Sequence, residues 1–105
     1  MQKDNPIPTR LKEARKKAGI TQKELGIRIG MEPSSASGRM NHYEKGRHTP
    51  DIGTLRRMAD ELNVPLNYFF CESELSASLA CAIDKMSDED KAALIEQLTH
   101  KPEKS

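Results

Sequence analysis

The chain of 105 residues has no tryptophan, and aromatic residues make up only 4% of it. With hydrophobic residues at 35%, its core must come mainly from Leu, Ile, Met and Ala, a mixture that suits helices. No apolar run approaches the roughly 20 residues that span a bilayer, and the start, MQKDNPIP, lacks the apolar stretch of a secretory leader. A cytoplasmic chain is expected, with no membrane as partner. Only two cysteines occur, Cys71 and Cys81, and a disulfide framework would need more; both are expected to be ordinary, partly buried thiols. His42, His48 and His100 show no metal-ligand or nucleophile spacing with each other or with the cysteines. No glycine-rich phosphate loop occurs, and no carboxylate pair has an apolar setting that would raise a pKa. An enzyme is therefore not expected, nor a metal or a cofactor.

What the chain does have is an uneven charge distribution. Residues 1–70 carry thirteen basic against eight acidic side chains, a net of +5, while residues 71–105 carry four against eight, a net of −4. The first part can approach a polyanion; the second would be repelled from one and suits another protein or solvent.

Helix signals are dense. Asn5-Pro6 or Thr9 can open a first helix, on which Leu11, Ala14 and Ala18 share a face, with Lys12, Arg15 and Lys16 opposite and Gly19 closing it. Thr21-Gln22-Lys23-Glu24 reads as a capping box, so a second helix starts at Thr21; Leu25 and Ile29 lie on its buried face and Gly30 ends it. Gly26, inside that helix, costs about 1 kcal/mol relative to alanine. Close approach by a neighbouring helix would explain it. Ala36, Met40 and Tyr43 give the following helix a small apolar stripe, opposite Ser34, Ser35, Ser37, Gly38, Asn41, His42 and Lys45. Further on, Asp51 can cap a fourth helix that buries Leu55, Met58, Ala59 and Leu62 and ends at Asn63. Pro65 opens a short fifth helix whose Leu66, Phe69 and Phe70 are expected to finish the core.

In order, TQKELGIRIG, a helix ending in YEKGRHTPD, and the run TLRRMADELNVPLNYFF are similar to the phage-repressor helix-turn-helix family of the Cro/Xre type, over about residues 9–70. Gln22 matches the family's glutamine at the start of the first motif helix, Gly26 stands where alanine is usual, and Gly30 matches the turn glycine. Met40 and Tyr43 match the buried positions of the recognition helix, and Glu44 with Gly46 the Glu-x-Gly that closes it. The resemblance implies an all-α, five-helix, lambda-repressor-like helix-turn-helix domain over residues 1–70, with residues 71–105 as a C-terminal tail of one or two helices. One departure stands out: Glu44 follows Gly30 by fourteen residues, four more than the family's spacing. These four lengthen either the turn or the recognition helix. Because a helical turn takes 3.6 residues, a longer helix keeps the buried stripe in phase and is the expected solution, with Pro33 in its first turn and Ser34 or Ser35 as cap.

In this motif the recognition helix enters the major groove and the preceding helix crosses the phosphates. Gln22 and Lys23 are the expected backbone contacts, at a helix N-terminus. Ser37, Arg39, Asn41 and His42 are the candidates for reading bases, Arg with guanine and Asn with adenine, while Ser34 and Ser35 could reach bases or phosphate. Lys45 and Arg47 would hold the next phosphates. The plainer readings are a surface ion pair for Arg39 with Glu32 or Glu44, solvated positions for His42, Arg56 and Arg57, a loop position for His48, and a structural role for Glu44.

In the tail, Leu75, Leu79, Ala82, Ile83 and Met86 recur with helical period. Ser87 can cap a further helix whose first turn holds Asp88, Glu89 and Asp90 and which continues through Ala92, Ala93, Leu94, Ile95 and Leu98, after which HKPEKS should fray. These stripes fold back on the domain or meet a second copy, and the second is expected because exposed apolar stripes mark interaction surfaces. The whole reads as a homodimeric repressor that binds a near-palindromic operator in double-stranded DNA. The runner-up is a DNA-binding antitoxin or restriction-modification controller whose acidic tail binds a protein partner. A protein-interaction adaptor comes third.

Overall fold

The computed structural model describes residues 5–100. Helix α1, Ile7–Ala18, begins after Pro6, with Asn5 Oδ1 accepting the N–H of Ile7 at 3.3 Å, and ends at Gly19 in the left-handed region. Helix α2, Gln22–Arg28, starts with the expected capping box: Thr21 Oγ1 accepts from the N–H of Glu24 at 3.0 Å, and Glu24 Oε1 from that of Thr21 at 3.4 Å. Helix α3 runs from Pro33 to Glu44, so the four extra residues lengthen the recognition helix rather than the turn. Neither Ser34 nor Ser35 caps it. Pro33 takes the first helical position and holds Glu32 extended before it, which places both serines inside the first turn.

Helix α4, Ile52–Leu62, is capped by Asp51, whose Oδ1 accepts the Thr54 N–H at 2.8 Å, and closed by Asn63 at φ 58°. A 3₁₀ helix, Leu66–Phe70, follows, then α5, Glu74–Asp84, and α6, Asp88–Thr99, capped by Ser73 and Ser87. Among the described residues there is no strand, and no helix is long and apolar enough to cross a membrane. Of the end expected to fray, HKPEKS, all but His100 lies outside the described residues.

Leu11, Leu25, Met40, Leu55, Met58 and Phe69 form the centre of the core, drawn from α1 to α4 and the 3₁₀ helix. Each such side chain contributes about 1.5–3 kcal/mol on burial. Three expectations about this core are corrected. Arg15 is buried, not on the exposed face of α1; lying one turn from Leu11, it reaches inward to a carboxylate described below. Ala18 is exposed, because the last turn of α1 borders an open groove. Phe70 is half exposed and Tyr68 is buried in its stead. At about three residues per turn Leu66 and Phe69 stay aligned, whereas Phe70 rotates away by roughly 120°.

The two tail helices differ. Helix α5 packs on the 3₁₀ helix, burying Ala77 and setting Glu74 3.6 Å from the buried Arg10. None of the residues of α6 is buried, and the molecule is drawn out to 60 Å along its longest axis against 31 and 22 Å across.

Candidate nucleic-acid interface

Helices α2 and α3 cross unusually close, and Gly26 is the reason they can. A Cβ on Gly26 would lie 2.8 Å from the Cβ of Ala36 and 3.2 Å from its Cα, inside van der Waals contact. Gly30, at φ 102°, turns the chain between the helices, and the N–H of Met31 donates back to the carbonyl of Gly26 at 2.9 Å. Arg57 of α4 steadies the same corner, donating to the carbonyl of Ile29 at 3.2 Å. It is thus a helix-end cap as well as a surface residue, which its sequence position did not suggest.

The far end of α3 is fixed by a buried ion pair. Arg15 of α1 grips the Glu44 carboxylate with two N–H groups, at 2.5 and 3.1 Å, and donates a third to the carbonyl of Ile20 at 2.9 Å. The Glu44 side chain is only 2% exposed. Gln22, at the start of α2, donates from Nε2 to Glu44 Oε1 at 3.0 Å and to Asn41 Oδ1 at 3.2 Å. Glu44 is structural, as expected, but its partner Arg15 was not foreseen. The signal for it was Arg15's place four residues after Leu11, on the buried side of α1.

These contacts decide what α3 presents outward. Ala36, Met40 and Glu44 face inward at four-residue intervals. Ser34, Gly38, Asn41 and Lys45 form the opposite stripe, with Ser35, Arg39 and His42 beside it on one flank and Ser37 on the other. Ser34, Ser35, Ser37, Arg39, Lys45 and Arg47 are exposed, and Asn41 and His42 half-buried. The Ser35 hydroxyl turns back to the Glu32 carbonyl at 3.4 Å. Arg39 pairs with neither Glu32 nor Glu44; among the described residues it has no hydrogen-bond or ion-pair partner, and its guanidinium fork is free. Asn41 differs: its Oδ1 already accepts from Gln22, so its amide N–H groups are what it offers. The His42 and His48 rings meet edge to face at 5.2 Å, bringing the loop after α3 against the helix. Lys23 is exposed beside Gln22 on the first turn of α2. From Pro33 to Thr49 the exposed surface thus holds Arg39, Lys45 and Arg47 and no exposed carboxylate, because the one acidic residue there is sequestered by Arg15.

A family model of the helix-turn-helix matches residues 11–69, more than half of the chain and the whole of this arrangement. The chain belongs to the Cro/Xre-type helix-turn-helix family. That is a family of DNA-binding transcriptional regulators. The chain is 32% identical over 90 residues to the HTH-type transcriptional regulator ImmR of Bacillus subtilis (strain 168), covering 77% of this chain and 68% of ImmR. It is also similar to the crystal structure of the transcriptional regulator BswR, at a TM-score of 0.79 and 40% identity over 88% of this chain and 91% of that one. This helix-turn-helix protein therefore shares with BswR a fold that extends into the tail, beyond the reach of the family model.

Proposed function

We propose that this helix-turn-helix protein is a homodimeric repressor, working in the cytoplasm, that reads a near-palindromic operator in the major groove. The observation that carries the reading is the outward face of α3: hydrogen-bonding side chains and free cations, with its single carboxylate buried. Arg39 is the main base reader, paired bidentately with guanine; Ser37, Asn41 and His42 read neighbouring positions. Ser34 and Ser35, on the added turn, extend the contact toward base edges or phosphate. Gln22 and Lys23 sit at the N-terminus of α2, and Lys45 and Arg47 beyond α3, where they hold phosphates on either side.

Residues 1–70 act as the DNA-binding unit and residues 71–105 as the dimerisation segment. Leu75 is 83% exposed, and Leu79, Ile95 and Leu98 are all more than half exposed. A twelve-residue helix such as α6 is marginal in water without a partner surface, so a second copy covering these side chains accounts for both. Twofold pairing would set the two α3 helices about one DNA turn, roughly 34–36 Å, apart. The acidic first turn of α6, Asp88, Glu89 and Asp90, favours a second reading in which the tail binds a protein partner.

Selection of bound duplexes from a random pool at near-physiological salt tests the proposal. Recovery of an inverted repeat with half-sites about one turn apart, and a steep loss of affinity with salt, is expected. Recovery of no enriched sequence would overturn it and direct the search to proteins bound by the tail.

A further inference from the structure

Between the body and the root of the tail lies an open groove of about 540 Å³, lined by residues of α1, α2, α4 and α5 and none of α3. Its floor is apolar: Ala14 of α1, Leu62 of α4, Val64 of the following link and Cys81 of α5. Its rim is cationic. Lys17 of α1 and Lys85, which caps the end of α5, both lie near the Cys81 thiol, and neither has a carboxylate within ion-pair distance among the described residues. A third cation, Arg28, is already compensated by Glu24 and Glu61 at 3.4 and 3.7 Å. Burial pushes the Cys81 thiol above its ordinary value, so it remains neutral and answers neither lysine. The groove is of the size and mixed character of small-molecule sites: apolar side chains beside a few charged ones, with the cations Lys17, Arg28 and Lys85 outnumbering the carboxylate of Glu61.

We propose that this groove binds a small aliphatic carboxylate, its head between Lys17 and Lys85 and its body on Ala14, Leu62, Val64 and Cys81. Two uncompensated cations call for an anionic head, and Ala14, Ala18, Leu62 and Val64 offer an aliphatic body apolar contact, beside Glu61, Asn63 and Tyr68 in the same lining. Because one lysine stands on α1 and the other at the end of α5, the bound anion ties the tail to the DNA-binding unit and fixes the angle between them. That consequence for operator binding rests on the dimer reading; binding of the carboxylate does not.

The test uses the full chain and sodium decanoate below its micelle concentration, with decanol and acetate as probes lacking the charge and the tail. Saturable binding of one decanoate per chain, shifting the amide signals of Ala14, Val64 and Cys81 in heteronuclear spectra, is expected. Both control probes, and the Lys17→Gln/Lys85→Gln variant, should bind about tenfold or more weakly, the scale set by removing two partly exposed ion pairs at once. Both lysines are exposed, so the variant should fold, and its helical circular dichroism checks that. Equal affinity for decanol, or no saturable binding, would overturn the proposal. So would dissociation of a wild-type dimer by the double substitution, which would instead assign the groove to the acidic first turn of a second copy's α6. A wild-type chain that is monomeric in solution would refute the dimer reading alone and leave the binding result standing.

Discussion

Replacing Gly26 with alanine sets two opposing effects against each other at one position. In an isolated helix the change would stabilise by about 1 kcal/mol. Here the new methyl lands 2.8 Å from the Ala36 Cβ and 3.2 Å from its Cα, and the nearer flexible atom, Met31 Sδ, is 3.1 Å away. Carbon atoms prefer about 3.5–4.0 Å, so α3 must withdraw by roughly 0.7 Å, since no rotamer change moves a Cα. Overpacking of this kind costs about 1–3 kcal/mol, which leaves a net loss near 1 kcal/mol after the propensity gain. For a domain of this size that lowers the melting temperature by about 4–8 °C. Urea unfolding followed by circular dichroism measures it, and operator affinity should fall with it if, as proposed, the helix that moves is the one that reads DNA. The companion variant Gly26→Ala/Ala36→Gly should lose less than the sum of the two single changes, by about 1–3 kcal/mol of coupling. A Gly26→Ala protein that is more stable than its parent and binds the operator equally well would refute the close-crossing argument.

Arg39→Ala should cost about 1–3 kcal/mol at one or two base positions and relax specificity there, read by repeating the duplex selection; a uniform loss over all sequences would make Arg39 a phosphate contact. Leu79→Glu should give a folded monomer that binds the full operator poorly, and an unchanged mass in light scattering would sink the tail-dimer idea. Tyr68 donates its hydroxyl to Glu13 at 2.9 Å, and burial first, then that bond, push its phenol well above the ordinary value of 10. The unfolded phenol ionises first on the alkaline side, so stability from this group is intact below pH 10 and is lost as pH rises beyond it. Tyr68→Phe should flatten that alkaline fall, and an unchanged profile would show that other groups govern it.

The parts of this fold that could be read from the sequence are those whose physics is local. The capping box at Thr21, the caps at Asp51 and Ser87, and the left-handed residues Gly19 and Asn63 all satisfy backbone groups within four residues of themselves. The lengthened α3 was legible for a related reason, since an insertion of nearly one turn preserves the phase of Met40, Tyr43 and Glu44. Arg15 was not, because its partner lies 29 residues away and a charge on an apolar face carries no local mark of the carboxylate that will meet it. Phe70 and Tyr68 exchanged places because the 3₁₀ winding of Leu66–Phe70 changes which side chains align, and nothing in five residues distinguishes that winding from α. In the interface the identities of the outward residues followed from periodicity. The pairing of Gln22 with Asn41, which alters what Asn41 can offer a base, needed the crossing of α2 and α3.

That pairing makes the buried ion pair more than a staple, and Arg15 separates its two roles. Arg15→Met removes one partner of Glu44 and leaves a carboxylate that is almost wholly buried with only Gln22 as donor. Breaking such a pair costs about 3–5 kcal/mol, a large share of the 5–15 kcal/mol or so that holds a domain together. Replacing both partners, Arg15→Met with Glu44→Leu, removes the stranded charge and should recover most of the stability, because apolar side chains of similar volume often match a buried pair. Operator affinity should not recover with it. Gln22 would have lost the Glu44 acceptor that holds its amide against Asn41, so α2 and α3, though still crossing at Gly26, would lose the hydrogen bond that fixes Gln22 beside the proposed reading face. Denaturation and operator binding, measured on both variants, separate the two. If the double variant regained stability and affinity together, the network would serve the fold alone; stability without affinity would show that Glu44 positions the reading face of α3 through Gln22.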